Sequence, residues 1–231
     1  MQKKLTYETD TECSICSRNF KVTRTRVGIK FTGMDTDFRM RYENVDPNYY
    51  VIWVCPHCGY SAPDDCFSTI SDTKRAILLK ALNGKEVRLD LQGERTAEQA
   101  LSSYKLAIYF GELSALPASK MGGLYLKMAW LYRDKGDEEL EQRCLAKAAE
   151  QYMLAFSNER LPIGKMTETA LVYLVANLLD RTGDIKQAAR WLSKIVAGKK
   201  TSDEAKLNDM ARDLWFSIKE KRAALGETDE V

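Results

Sequence analysis

Histidine is nearly missing from this chain: His57 is the single one in 231 residues. A mechanism that needs two histidines within one chain is therefore excluded. Excess charge is missing too. Lys and Arg number 35 and Asp and Glu 33, for a net charge of +2, which gives no pointer to a strongly polyanionic partner. Long apolar runs are also lacking. The longest stretch free of Lys, Arg, Asp and Glu runs from Pro47 to Pro63 and contains Asn48, Pro56, His57 and Gly59. A membrane helix needs about 20 mostly apolar residues, so neither a span nor a membrane partner is expected. Lys3 and Lys4 are not followed by an apolar segment, so no secretory leader is expected and the chain reads as cytoplasmic. No P-loop, Gly-x-Gly-x-x-Gly or Gly-x-Ser-x-Gly motif occurs, and no enzyme is expected.

What is present is an ordinary globular composition, 45% hydrophobic and 29% charged, enough for one or two domains. Six cysteines stand out: Cys13, Cys16, Cys55, Cys58, Cys66 and Cys144. Four of them form two C-x2-C pairs, Cys13-Ser14-Ile15-Cys16 and Cys55-Pro56-His57-Cys58. A tight turn across two residues lets both thiolates reach one ion from one side. Two such turns complete the tetrahedral shell of a structural zinc site. Gly59 supplies the conformational freedom that the end of a knuckle turn needs, and Pro56 stiffens the second turn. Tyr49 to Val54 reads as a strong strand leading into Cys55, and Phe20 to Thr23 as a weaker one after the first pair. The expectation is a small β zinc ribbon over residues 1–65, with Zn2+ on Cys13, Cys16, Cys55 and Cys58.

The 38 residues between Cys16 and Cys55 exceed the roughly 15–20 of a common ribbon loop. The excess, about 27–47, reads as an insertion of loops around a short strand or two, with Gly28, Gly33, Asp35, Asp37, Asn44 and Asp46 as its loop residues. A thioredoxin-like redox pair is the rival reading, but it wants one C-x-x-C beside a βαβ pattern, which does not follow here. A catalytic zinc needs an open position, which four thiolates close; Asp64 and Asp65 read as solvated loop residues. His57 is read as a non-ligand pointing away from the metal. Cys66 is read as a small buried residue at the start of a helix, with a ligand that swaps into the site as its alternative. Cys144 is read as core packing.

From residue 66 to 231 the pattern is helical. Leu171, Leu174, Val175, Leu178 and Leu179 recur at helical spacing, as do Ile185 to Val196 and Leu207 to Ile218. Thr96-x-x-Gln99, Asp184-x-x-Gln187 and Thr201-x-x-Glu204 resemble helix starts. Gly136 and Gly183 mark turns between helices, while Val87 to Leu91 reads as an extended connector. The pattern Ala-x3-Tyr-x2-Ala occurs at Ala100 and Ala148, and Ala188-x3-Leu192 is a partial match. Leu124–Ala155 and Leu171–Val196 thus read as helical hairpins resembling tetratricopeptide repeats, irregularly spaced against the 34-residue unit. A plain helical bundle is the alternative.

Taken together, Cys13-Ser14-Ile15-Cys16 with Phe20, the stretch Trp53-Val54-Cys55-Pro56-His57-Cys58-Gly59-Tyr60, and the later Ala-x3-Tyr patterns resemble an uncharacterised bacterial family, catalogued as domain of unknown function 2225. The resemblance covers most of the chain. It implies a metal-binding region and supplies no activity.

The leading functional expectation is a zinc-stabilised protein-interaction adaptor. Helical arrays present a concave face to a peptide or partner helix. With Gly136 and Gly183 as equivalent turns, Lys127, Trp130 and Arg133 fall on that face in one hairpin, and Tyr173, Asn177 and Arg181 in the next. Cations and amides there suit an acidic segment or a carboxylate. The plainer alternative packs Trp130 and Tyr173 between helices. The second expectation is nucleic-acid binding through the basic run at 18–30 (Arg18, Lys21, Arg24, Arg26, Lys30) with Phe20 and Phe31 as stacking groups. Residues 1–70 nevertheless hold nine basic and nine acidic side chains, so that region is neutral. The oligomeric state is not legible.

Overall fold

A computed structural model of the chain describes residues 4–84, 91–196 and 204–224. Most of the Val87–Leu91 connector and the Thr201 helix start lie outside these residues.

The N-terminal hairpin pairs β1 (Thr6–Glu12) with β2 (Asn19–Thr25), antiparallel from Thr6 opposite Thr25 to Glu12 opposite Asn19. Phe20 and Val22 point to one buried face of β2, as the two-residue strand period requires. Cys13 to Arg18 turn the chain. The Cys13 amide donates to the Arg18 carbonyl at 3.0 Å and the Ser17 amide to the Cys13 carbonyl at 2.9 Å. A second hairpin repeats this plan. Here β5 (Ile52–Val54) pairs with β6 (Ser61–Pro63), the Cys55 amide donates to the Tyr60 carbonyl at 2.9 Å, and Gly59 to Cys55 at 2.8 Å. Gly59 has φ +78° and its counterpart Ser17 has φ +56°. Between the two hairpins, β3 (Phe31–Met34) and β4 (Met40–Tyr42) form a third, followed by a 3-10 turn, Pro47–Tyr50, capped by the Asp46 carboxylate.

Three helices follow: α1 (Asp64–Phe67), α2 (Asp72–Leu82) and α3 (Ala97–Leu113). They do not belong with the later helices. One compact unit joins the residues up to Gly33 with Met40–Leu116. The expected division at 65/66 is therefore replaced by one at Leu116/Pro117. The reason is the size of the core. Two short hairpins bury too little apolar surface alone, and helices complete it. Phe67 is fully buried, with ring centroids 5.7 Å from Phe20, 5.7 Å from Trp53 and 5.0 Å from Tyr60, and Tyr60 in turn meets Phe110 of α3 at 5.7 Å. Leu78 of α2 is in the same cluster. The Ala100-x3-Tyr104-x2-Ala107 pattern is thus not part of a further helix pair. It seats α3 on the hairpins, with the Tyr104 hydroxyl donating to the Asn48 carbonyl at 2.8 Å. The half-buried Arg95 ties the same region together, donating to the carbonyls of Tyr49 at 3.0 Å, Ile52 at 2.8 Å and Leu91 at 2.9 Å. Its burial without a carboxylate partner lowers its pKa to about 10.

The second compact unit holds Pro117 onward together with Met34–Arg39. Its helices are α4 (Ala118–Lys135), α5 (Glu138–Asn158), α6 (Glu168–Arg181), α7 (Ile185–Val196) and α8 (Ala205–Ala224). Gly136 closes α4 with φ +71°, and the Asp137 side chain accepts from the Leu140 amide to start α5. The same Gly-Asp plan, with Gly183 at φ +85° and Asp184 accepting from the Gln187 amide at 3.0 Å, joins α6 to α7. Small residues set the spacing of the first pair. A Cβ at Gly122 would stand 3.0 Å from the Tyr152 ring, so α4 approaches α5 as closely as a glycine permits. Residues Leu171 to Leu179 of α6 are all buried, and α5, α7 and α8 pack against that helix. Among the described residues, no helix is long and apolar enough to cross a membrane.

Candidate functional site

The two hairpin turns bring four thiols together. Cys13, Cys16, Cys55 and Cys58 form one group with all Sγ atoms within 4.8 Å of one another. Across the two knuckles, Cys13 lies 3.7 Å from Cys58 and Cys16 lies 3.7 Å from Cys55. These are not disulfide distances, and none of the six cysteines is in a disulfide. Cys13 and Cys55 are fully buried, while Cys16 and Cys58 are half-buried. The Ile15 amide donates to Cys13 Sγ at 3.5 Å. The turn is braced from outside: the Ser14 hydroxyl donates to the Phe67 carbonyl at 2.6 Å, and the Arg75 guanidinium donates to the Ile15 carbonyl at 3.2 Å.

The electrostatics of the group favour a cation. Hydrogen bonds from the Cys13 and Cys58 thiols, helped by the Cys58 and His57 amides, lower the Cys55 thiol to about 4. The same hydrogen bonds push Cys58 the other way, well above its ordinary range. One thiolate is favoured and its neighbour is not, and a bound cation would compensate the remaining charges. Four sulfur donors facing one another can therefore hold one metal ion.

His57 and Cys66 fall outside this group. His57 is exposed, with Nε2 3.2 Å from the Asn19 carbonyl. Cys66 is half-buried rather than buried, and its thiol donates to the Asp65 carboxylate at 3.2 Å. Cys144 is buried in α5. The basic run at 18–30 is largely paired. Lys21 meets Glu8, Lys30 meets Glu43, Arg24 meets Asp64 at 3.6 Å and lies over Trp53, and Arg26 donates to the Lys4 carbonyl and lies over Tyr7. Phe20 is in the core, whereas Phe31 is exposed.

In the helical unit, four of the six expected groove residues converge on one short segment of the chain itself. Asp37, fully buried, takes two hydrogen bonds on one carboxylate oxygen, with a further cation at ion-pair distance. Trp130 Nε1 donates at 3.0 Å, Arg133 Nη2 at 2.6 Å, and Arg181 Nη1 stands 4.0 Å away. Arg133 also reaches Asp35 at 3.2 Å and Glu141 at 2.7 Å, and Arg181 reaches Glu141 at 3.0 Å. Tyr173 donates to the Thr36 carbonyl at 2.9 Å and faces the Phe38 ring at 5.4 Å. Arg39 donates to the Trp130 carbonyl at 3.1 Å and pairs with Asp134. Burial alone would lower the Arg133 guanidinium, but Asp37 and Glu141 more than offset it and hold it above its ordinary value. Burial, and then the Asp37 charge, push Tyr173 up to about 12. Asn177 is buried one turn after Tyr173, and Lys127 folds back toward Gly123.

The expected face is thus not an open one. The acidic segment that suits it is Asp35-Thr36-Asp37-Phe38-Arg39, the tip of the β3–β4 hairpin. Sequence reasoning took Asp35 and Asp37 as loop residues and missed Arg39, Asp134 and Glu141. The available signal was two aspartates within an insertion in a chain whose later helices carry an expected basic face.

The fold and its thiol group define a class: a chain with a small N-terminal β-hairpin region, a four-cysteine cluster fitting a zinc ribbon, and a following helical region. Residues 6–218 match the family described as "Uncharacterized protein conserved in bacteria (DUF2225)", and the chain belongs to that family. An uncharacterized protein of Borreliella burgdorferi is 25% identical over 189 residues, covering 68% of this chain and 67% of that protein. No solved structure matches the chain.

Proposed function

We propose that this chain is a non-catalytic, zinc-stabilised adaptor of the bacterial cytoplasm that binds a protein partner through its helical unit. The observation that carries the reading is the grip of Trp130, Arg133, Tyr173 and Arg181 on an acidic chain segment. Those residues were expected, from helical register alone, to line the concave face of tetratricopeptide-like hairpins. Such a face uses side-chain donors for carboxylates and main-chain contacts for the rest of a peptide, and both kinds of contact occur here.

Zinc is the metal the donor set favours. Tetrahedral Zn–S bonds of about 2.3 Å put neighbouring sulfurs about 3.8 Å apart, close to the 3.7 Å of both cross-knuckle pairs. Four thiolates close the coordination shell, so the ion would hold the two hairpins and leave no position for a reacting water. Free thiol pairs of this kind fit a reducing compartment. Nucleic-acid binding is the less favoured reading, because the cations of Lys21, Arg24, Arg26 and Lys30 already have partners.

Affinity capture with the full chain as bait, after cross-linking in the host, tests the adaptor role. A protein partner whose recovery falls about tenfold in Arg181→Ala, equal to about 1.4 kcal/mol, supports it. Recovery of RNA in place of protein overturns it.

A further inference from the structure

The Asp37 cluster is rich in buried polar groups. Buried polar atoms are nearly always hydrogen-bonded. Here the second Asp37 oxygen, Asn177 Oδ1 and Arg181 Nε are buried with no hydrogen-bond partner in the protein. Asn177 and Arg181 lie one turn apart on α6, and Arg181 stands 4.0 Å from Asp37.

The tip itself is strained. Phe38 has φ +65°, a conformation that bulky side chains rarely adopt. Its amide donates to the Asp35 carbonyl at 3.0 Å, and the Asp35 amide to the Arg39 carbonyl at 2.8 Å. The turn is thereby closed on itself, with the Phe38 ring only half-buried against Tyr173. A left-handed aromatic persists where surroundings over-determine it, and such positions cluster at switching segments.

The contacts also have the form of peptide recognition. One aspartate is read by an indole and two guanidiniums, one aromatic by a tyrosine ring, and one main-chain carbonyl by a hydroxyl. The carboxylate is the indispensable part. A neutral side chain in its place would leave the two guanidiniums with Glu141 as their shared counter-charge and Asp35 on Arg133 alone.

We propose that Met34–Arg39 is a resident internal ligand of a peptide site formed by α4, α5 and α6. The partner it stands in for is a protein segment presenting an acidic residue, a spacer, an aspartate and an aromatic residue in a tight turn. The partner binds by displacing the tip. This deepens the adaptor reading and rests on it. Because the tip is tethered, its effective concentration is in the millimolar range, so a free peptide competes poorly with it and binds well only where the tip is weakened.

The test uses the full chain and a fluorescein-labelled peptide of the sequence Phe31 to Tyr42. The double variant Asp37→Ala/Phe38→Ala, checked for retained helicity, is expected to bind the probe at least about tenfold more tightly than the unaltered chain. A probe carrying Asp37→Asn is expected to bind at least about tenfold more weakly than the unaltered probe. A second measurement needs no variant: hydrogen exchange of the Asp35–Arg39 amides in the unaltered chain, with and without saturating probe. Faster exchange at the tip, with α4 still protected, is expected. A helical double variant that ignores the probe, or a double variant that fails to fold combined with unchanged exchange, overturns the proposal and makes the tip a fixed part of the fold. The adaptor reading fails separately, on partner capture: a partner captured equally by the unaltered chain and the double variant leaves it standing on another surface.

Discussion

Asp37 accepts a hydrogen bond at 3.0 Å from the indole of Trp130, a residue 93 positions later in the chain. The contact joins a hairpin tip inserted between two cysteine pairs to the middle of a helix in the second compact unit. It also fixes the meaning of the groove residues. Trp130 is neither a free anchor nor simple packing between helices, but one of two hydrogen-bond donors, with Arg133, that hold a buried carboxylate.

Removal of that carboxylate should be costly. Asp37→Ala leaves Arg133 and Arg181 without it, and breaking a buried ionic cluster from one side typically costs about 3–5 kcal/mol. Asp37→Asn keeps the shape and an acceptor for Trp130, so it should cost less. Urea unfolding followed by helical circular dichroism reads both, and equal midpoints for Asp37→Ala and the unaltered chain would contradict the assignment.

Two adjacent glycines of α4 should respond with opposite sign. A Cβ at position 122 would stand 3.0 Å from the Tyr152 ring, whereas at position 123 the nearest atom is the Tyr152 hydroxyl oxygen at 3.6 Å, an ordinary contact. Gly122→Ala should therefore destabilise by about 1–3 kcal/mol through overpacking. Gly123→Ala should stabilise by up to about 1 kcal/mol through helix propensity. Thermal unfolding of the pair discriminates them, and a Gly122→Ala variant with a raised Tm would show that α4 and α5 are not held at glycine spacing.

Alkaline pH should unfold the chain through its tyrosines. Burial, followed by the nearby thiol charges, raises Tyr60 to about 12; Tyr173 rises to about 12; and Tyr104 and Tyr152 are raised by burial. A raised tyrosine pKa means that the folded chain keeps protons the unfolded chain has lost. Stability from this source is unchanged below pH 10 and falls as pH climbs from about 10 toward 12. Phenolate absorbance should show these residues titrating late and together with loss of helicity. Early, independent titration of all tyrosines would mean that these rings are not buried.

The parts legible in the sequence were those with a local signature. Two C-x2-C pairs announce a shared site because only a short turn can present both thiols on one side. The stripe from Leu171 to Leu179 and the Gly-Asp steps at Gly136 and Gly183 announce helices and their ends. Strand β1 was not legible: Thr6 to Glu12 carries little apolar alternation, and its pairing with β2 is what makes it a strand. Ser17 gave no sign of a positive φ, because its position is set by equivalence with Gly59 in the other knuckle. The allegiance of α3 was hidden as well, since an Ala-x3-Tyr-x2-Ala face packs as well on a hairpin as on another helix. Hardest to read was the destination of Asp35 and Asp37, because charge complementarity over 93 positions leaves no periodic trace.

Metal content is the most direct test of the proposed four-cysteine zinc centre. The full chain, purified under reducing conditions without added metal, should carry one zinc per chain by elemental analysis. The zinc should be lost in Cys13→Ser and in Cys55→Ser. A folded chain with no bound metal, and with Cys13, Cys16, Cys55 and Cys58 joined in stoichiometric disulfides, would contradict it.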